Sequence, residues 1–247
     1  MFDYNAPEEL LKNRIILITG AGAGIGRAAA LSFARYGATV ILAGRTVKKL
    51  EEVYDQIEAA GWPQPAIFPI NLEGAAPHDY DVVAAAIEKE FGHIDGLLNN
   101  ASLLGNRTPI SNYDPSVWNQ VMQVNVNAQF LLTQAMLPLL MASDDASVVF
   151  TSSGVGRKGS AYWGAYAVSK FATEGMMQVL ADELENTSNI RVNAINPGPT
   201  RTNMRAHAYP AENPSEVATP EQIMPLYLYL MGPDSKETNG QSLDAQA

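Results

Sequence analysis

Short β-branched apolar runs alternate with longer helical patterns along the whole chain, and this alternation restricts the fold more than any other feature. Residues 14–19, 39–42, 66–70, 94–98, 147–151 and 190–195 read as strands. Helical patterns fall between them over residues 25–36, 46–60, 79–91, 116–140 and 165–185, and Gly37, Gly61 and Gly92 close the first three. Strands that alternate with helices build a parallel sheet covered on both faces. The strand interiors are apolar without polar alternation, as such a sheet requires. Two prolines sit uneasily in their elements: Pro69 in the third strand, and Pro138, which is expected to bend or stop the long helix.

With 247 residues and 47% hydrophobic content the chain has material for one sizeable core, and we read residues 1–247 as a single α/β domain. No repeat, low-complexity tract or linker interrupts it. Residues 201–220, rich in Pro, Asn and Ala, read as an insertion beside the site with a short helix at most. A net charge of −10 argues against nucleic acid or an anionic membrane as partner, because both reward basic surface. There is no cysteine, and only His78, His93 and His207 occur, without paired-ligand spacing, so no metal site is expected. The first residues lack a basic and apolar leader pattern, and no apolar run approaches the ~18 residues of a membrane span. The expectation is a cytoplasmic protein.

The first strand runs into Gly20-Ala-Gly-Ala-Gly24-Ile25-Gly26, which opens a helix. Glycines let a backbone turn sharply and approach a pyrophosphate, and the helix N-terminus offers unpaired N–H groups. The spacing is Gly-x-x-x-Gly-x-Gly, not the general dinucleotide fingerprint, and a tight strand-to-helix connection is the plainer alternative. Its place at the first βα junction favours a nucleotide and a Rossmann-type doubly wound sheet. The second strand ends in Gly44 and Arg45, where an acid would grip the ribose of NAD and an arginine accommodates the 2′-phosphate of NADP. NADP(H) is therefore expected over NAD(H), unless Arg45 is only a surface residue at a helix start.

Tyr166 and Lys170 lie four apart, on one face of a helix. Bringing a phenol from ~10 to about 7 takes roughly 4 kcal/mol of preference for the phenolate. An ammonium about 4 Å away, at an effective dielectric of ~20, supplies on the order of 4 kcal/mol. The pair is thus a plausible proton-transfer device, although the same spacing taken alone more often marks a solvated helix face.

Together these residues resemble the short-chain dehydrogenase/reductase family. Gly20, Gly24, Ile25 and Gly26 match its cofactor signature, and Asn99-Asn100-Ala101 resembles its Asn-Asn-Ala-Gly motif with Ser102 in place of Gly. Asn125 matches the helix asparagine, Ser153 lies at the catalytic serine spacing, and Tyr166-x-x-x-Lys170 matches the catalytic pair. Pro197 and Gly198, with Thr200 and Thr202, resemble the segment that caps the nicotinamide. Asn71, next to Leu72, stands where an Asp often meets the adenine. Residues 121–128, 163–167, 170–183 and 223–228 look closer still to a bacterial subgroup, the YciK-like oxidoreductases.

The resemblance implies an NADP(H)-dependent reduction of a carbonyl, or the reverse, on a small molecule. Tyr166 would trade the proton, Ser153 would fix the substrate oxygen, Lys170 would lower the Tyr166 pKa and hold the nicotinamide ribose, and Asn125 would anchor a water chain. Gly20, Gly24, Ile25, Gly26, Arg45, Asn71, Leu72, Asn100, Ala101, Tyr166, Lys170, Pro197, Gly198, Thr200 and Thr202 would hold the cofactor. Ser152 is a competing serine, but strand neighbours face opposite sides. Asn125 has a plainer alternative, a polar helix residue satisfied by a neighbouring carbonyl. A homodimer or homotetramer is implied, paired through apolar stretches such as 130–132 and 176–177. The substrate walls are expected at 103–106, 155–157, 162–163 and 204–209, with Arg157 and Arg205 able to meet a carboxylate. Two other classes compete: an NADP(H)-binding redox sensor or scaffold without turnover, which needs no proton relay, and a sugar-nucleotide epimerase or dehydratase, which usually carries a larger C-terminal domain.

Overall fold

A computed structural model describes residues 1–246. Seven parallel strands run in the order β3-β2-β1-β4-β5-β6-β7. They are β1 (Ile15–Thr19), β2 (Thr39–Gly44), β3 (Ala66–Pro69), β4 (Gly96–Asn99), β5 (Ala146–Thr151), β6 (Ile190–Asn196) and β7 (Ser242–Asp244). The helices are α1 (Gly24–Arg35), α2 (Val47–Ala59), α3 (Pro77–Phe91), α4 (Pro115–Met122), α5 (Ala128–Met141), α6 (Gly164–Leu184), α7 (Asn203–Ala208) and α8 (Met224–Met231). The expected single α/β domain with a doubly wound sheet is therefore the observed one. Among the described residues no helix is long and apolar enough to cross a membrane.

Each sheet face buries its own core. Alternate residues such as Ile16, Ile18, Val40 and Leu42 pack with α1, α2 and α8, while Leu17, Ile41, Leu97 and Val148 pack with α3, α5 and α6. Two-sided burial accounts for the apolar strands, with one correction. In β6 the buried residues alternate, with Arg191 and Asn193 between Ile190, Val192 and Ala194. Both polar side chains are partnered: Arg191 pairs with Asp145, and Asn193 donates to the Thr238 carbonyl at 2.7 Å and accepts from the Gln241 amide at 3.0 Å.

Sequence order reverses between β1 and β4, so their carboxyl ends splay apart and leave the crevice in which α/β sheets bind ligands. Thr19 ties the two ends together. Its hydroxyl donates to the Leu98 carbonyl at 3.3 Å and accepts from the amides of Asn100 and Ala101 at 2.9 and 3.0 Å. The strand that breaks off here thus hands its alignment directly to the loop that follows β4.

Both prolines find a physical explanation. Pro69 ends β3, an edge strand, where a missing N–H interrupts no ladder. Pro138 lies inside α5, which continues to Met141 without stopping. The long helix expected over 116–140 is present as a continuous helical run, α4 into α5, with one π-helical turn at Gln123–Asn127 that holds Asn125. The helix at Met224–Met231 had no counterpart among the expected elements. It is apolar on all sides because it is buried on all sides, so no 3.6-residue stripe marks it. Of the stretches 130–132 and 176–177 expected to be exposed, Leu132 and Met177 are buried in the core and Phe130 is exposed; Phe171 and Val179, outside those stretches, are exposed on α6 as well.

Candidate active site

A cleft of about 660 Å³ runs along the carboxyl ends of the strands, from the turn after β1 to the N-terminal half of α6. Its floor is Gly20, Gly22, Ala23, Gly24 and Ile25. Gly20 and Gly24 have φ of 69° and 53°, values that favour glycine. α1 begins at Gly24 without a side-chain cap, so its first N–H groups face the cleft without an internal side-chain acceptor. Gly26 is not on the wall. It packs behind the turn, where a Cβ would fall 2.3 Å from the Gly20 oxygen and 2.7 Å from Asn100 Nδ2. Its role is to let the turn close, which corrects its expected place among the contact residues.

At one end of the cleft Gly44, Arg45, Thr46, Lys49 and Arg27 line the wall, with Asn71, Leu72 and Glu73 opposite. Thr46 and Lys49 were not among the expected residues. The signal was present, since Thr46 is the N-cap that links Arg45 to α2, and α2 carries Lys49 in its first turn. Asn100, Ala101 and Ser102 continue the wall, and Pro197, Gly198, Thr200 and Thr202 form the roof. Ser102 tolerates the departure from glycine because its φ is not positive. Its hydroxyl is buried with no partner in the protein, a free hydrogen-bonding group in the wall. The glycine floor, the uncapped helix start, the cations beside Arg45 and this orphan hydroxyl all suit a phosphorylated dinucleotide.

Thr151, Ser152, Ser153, Trp163, Tyr166 and Lys170 close the other end. β5 delivers the serines and α6 delivers the pair. Ser152 Oγ is turned away to Glu174, leaving Ser153 on the side of Tyr166, as strand alternation predicts. The Lys170 ammonium lies 5.5 Å from the Tyr166 ring centroid and donates to the Thr151 carbonyl at 2.6 Å. Both residues are buried, Lys170 to 1% exposure.

The electrostatics correct the expected acidity. Burial pushes the Tyr166 phenol up to about 12, against an opposing hydrogen bond with Ser153. The ammonium of Lys170 is held on the Thr151 carbonyl and is itself desolvated. Burial brings Lys170 down to about 8, with Glu174 opposing. At neutral pH the site therefore holds a neutral phenol beside a mostly protonated lysine.

Asn125 is fully buried, and its hydrogen bonds end on protein. Oδ1 accepts from the Leu103 amide at 2.7 Å, while Nδ2 donates to the Leu103 carbonyl and to Ser169 Oγ, each at 2.9 Å. It aligns the Leu103 loop, and none of these bonds leads to Lys170. The plainer reading of Asn125 describes its observed partners.

The substrate walls also differ from expectation. Leu103, Leu104, Trp163, Met204, Arg205 and Ala208 line the cleft near Tyr166. Tyr162 is solvent-exposed, and Arg157 turns outward to Asp244 at 2.8 Å. Arg205 is held by both Glu212 oxygens, at 2.7 and 2.5 Å. Both arginines are already paired with a carboxylate of the protein. Arg107, which had not been expected here, stacks 4.6 Å from Trp163 and 4.8 Å from Tyr209, joining the loop after β4 to α7.

Comparison with known proteins agrees with this geometry. The short chain dehydrogenase family model matches residues 14–213. The chain is 55% identical over 243 residues to the uncharacterized oxidoreductase YciK of Escherichia coli K12, covering 98% of this chain and 96% of that protein. A short chain dehydrogenase from Shigella flexneri, solved in complex with NADP, superposes with a TM-score of 0.95 at 55% identity, covering 98% of this chain and all of that one. One from Escherichia coli CFT073, solved with NADPH, superposes with a TM-score of 0.95 at 56% identity and the same coverage. The chain belongs to the short-chain dehydrogenase/reductase family, in its YciK-like branch.

Proposed function

We propose that this oxidoreductase binds NADP(H) and reduces an uncharged carbonyl compound to an alcohol, with Tyr166 as the proton donor. The observation that carries the reading is the buried phenol of Tyr166 beside Ser153, at the far end of the cleft that begins at the glycine floor. Gly20, Gly24 and Ile25 would seat the pyrophosphate, Arg45 and Lys49 the 2′-phosphate, Asn71 and Leu72 the adenine side, and Asn100, Ala101, Lys170, Pro197, Gly198, Thr200 and Thr202 the nicotinamide half. NADPH supplies the hydride when bound.

The chain's own residues do the rest. Ser153 and Tyr166 both offer a hydroxyl to the substrate oxygen and orient it. As negative charge develops there, the phenol gives up its proton. The ammonium of Lys170, anchored on Thr151, stabilises the phenolate left behind. A phenol that keeps its proton at neutral pH is available to a carbonyl oxygen, and the charge that develops on that oxygen drives the transfer. Leu103, Leu104, Trp163 and Met204 give this end of the cleft an apolar wall, which supports a neutral aldehyde, ketone or quinone over a keto acid. The homo-oligomer remains part of this reading, and it rests on Phe130, Phe171 and Val179, exposed on adjacent helices.

The test is NADPH oxidation against matched neutral and carboxylate-bearing carbonyls, with Tyr166→Phe as the control. We expect turnover of neutral compounds to fall by about a hundredfold or more in Tyr166→Phe while NADPH affinity holds. Equal turnover in the variant would remove Tyr166 as the donor.

A further inference from the structure

Glu174 has no part in that scheme, yet it is a carboxylate only 6% exposed, one turn beyond Lys170 on α6. A carboxylate withdrawn from water is costly unless its partners compensate. Here they do. Its Oε1 accepts hydrogen bonds from Ser152 Oγ and, at 2.8 Å, from Ser242 Oγ. Arg157 Nε stands 3.7 Å from the same oxygen and donates to Ser242 Oγ at 3.0 Å.

The positions of these partners along the chain are what matter. Ser152 directly precedes Ser153. Arg157 directly follows the short helical turn Gly154–Gly156 that comes after Ser153. Both ends of the segment carrying Ser153 thus converge on one carboxylate, and that carboxylate belongs to the helix carrying Tyr166 and Lys170. The segment also lies flush on that helix, since a Cβ at Gly156 would fall 2.8 Å from Lys170 Cβ and 2.9 Å from the Lys170 carbonyl carbon. Holding Ser152 toward Glu174 leaves Ser153 pointing to the other side, into the cleft.

We propose that Glu174 is a positioning residue: it clamps the segment on either side of Ser153 to α6 and thereby sets the Ser153 hydroxyl against the Tyr166 phenol. The inference rests on the active-site reading given above. Ser242 extends the clamp to the edge strand β7, so the C-terminal strand is tied to the same geometry.

The experiment measures NADPH-dependent reduction of phenanthrenequinone, per folded nucleotide-binding site, for Ser153→Ala, Glu174→Ala, Glu174→Gln and the Ser153→Ala/Glu174→Ala double variant. A displaced hydroxyl lowers kcat by about tenfold or more, while NADPH affinity stays within about threefold because the glycine floor is untouched. The double variant is then no slower than Ser153→Ala, since Glu174 acts through Ser153. Glu174→Gln, with an acceptor oxygen of the same reach, recovers most of the rate. Rates for Glu174→Ala within about twofold of the unmodified enzyme, or losses that multiply in the double variant, overturn the proposal. A fully active Ser153→Ala sinks the active-site reading itself, and the clamp with it. Should Glu174→Ala fail to fold, Ser152→Ala removes the near anchor and carries the same expectations. A crystal structure of either variant decides without turnover: a Ser153 hydroxyl moved away from Tyr166 supports the clamp, and an unmoved one refutes it.

Discussion

Replacing Lys170 with Met tests the electrostatic heart of the site through stability, without any substrate. Burial brings the Lys170 ammonium from its ordinary 10.5 down to about 8. Because the folded-state value lies below the unfolded one, the native protein binds fewer protons between pH 8 and 10.5. Its stability must therefore rise with pH through that window. The cost of holding the ammonium is fully present below pH 8 and lifts as the pH climbs toward 10.5. A shift of this size corresponds to about 3 kcal/mol at pH 7, of which about 1 remains at pH 10. Methionine fills similar volume and carries no proton. The stability difference between the two proteins should then move by about 2 kcal/mol in favour of the native sequence from pH 7 to pH 10. Pairing the proteins cancels terms independent of pH, such as the lost bond to Thr151, and titrations common to both. Urea unfolding at several pH values without added nucleotide measures the difference. A difference constant within about 0.5 kcal/mol across the range would refute the claim that Lys170 is held desolvated and charged.

Arg45→Asp should weaken NADPH binding by roughly tenfold to a hundredfold, the worth of charge-assisted hydrogen bonds, and NADH binding far less; titration calorimetry with both nucleotides shows whether the losses differ. Gly26→Ala places a methyl 2.3 Å from the Gly20 oxygen, so the turn must deform, costing about 1–3 kcal/mol of stability together with nucleotide affinity; thermal unfolding and binding on the same sample check both. Asp145→Ala strips the shared partner of Arg14 and Arg191, both largely buried, and should cost about 3–5 kcal/mol in urea unfolding. Burial works against the Asp145 carboxylate, yet the two guanidiniums hold it below the usual carboxylate range. Its stabilisation is therefore present above about 4 and is lost as the pH falls below that.

Residues that act through near neighbours in the chain were legible before any coordinates. The glycine floor after β1, Ser153 at a strand end and the Tyr166–Lys170 spacing each depend on a few adjacent positions, and all meet in one cleft. Helix α8, by contrast, was invisible because uniform burial erases the periodicity by which helices are recognised. The π-helical turn at Asn125 left no composition signal either.

Acidity and partnership were decided only in three dimensions. The pair energy that would make Tyr166 acidic assumed a free ammonium about 4 Å away. In the fold that ammonium is tied to Thr151, both groups are dry, and burial outweighs the hydrogen bond with Ser153. Arg157 and Arg205 looked equally able to meet a carboxylate, until Asp244 and Glu212, 87 and 7 residues away, claimed them. Glu174 drew no reading from the sequence, yet it binds hydroxyls from two different strand ends. The order of residues determined which elements form and which groups reach the crevice, because hydrogen-bonded periodicity is local. The solvation of those groups, and the partners that consume their charge, depend on surfaces brought together from distant segments, and only the packed chain supplies them.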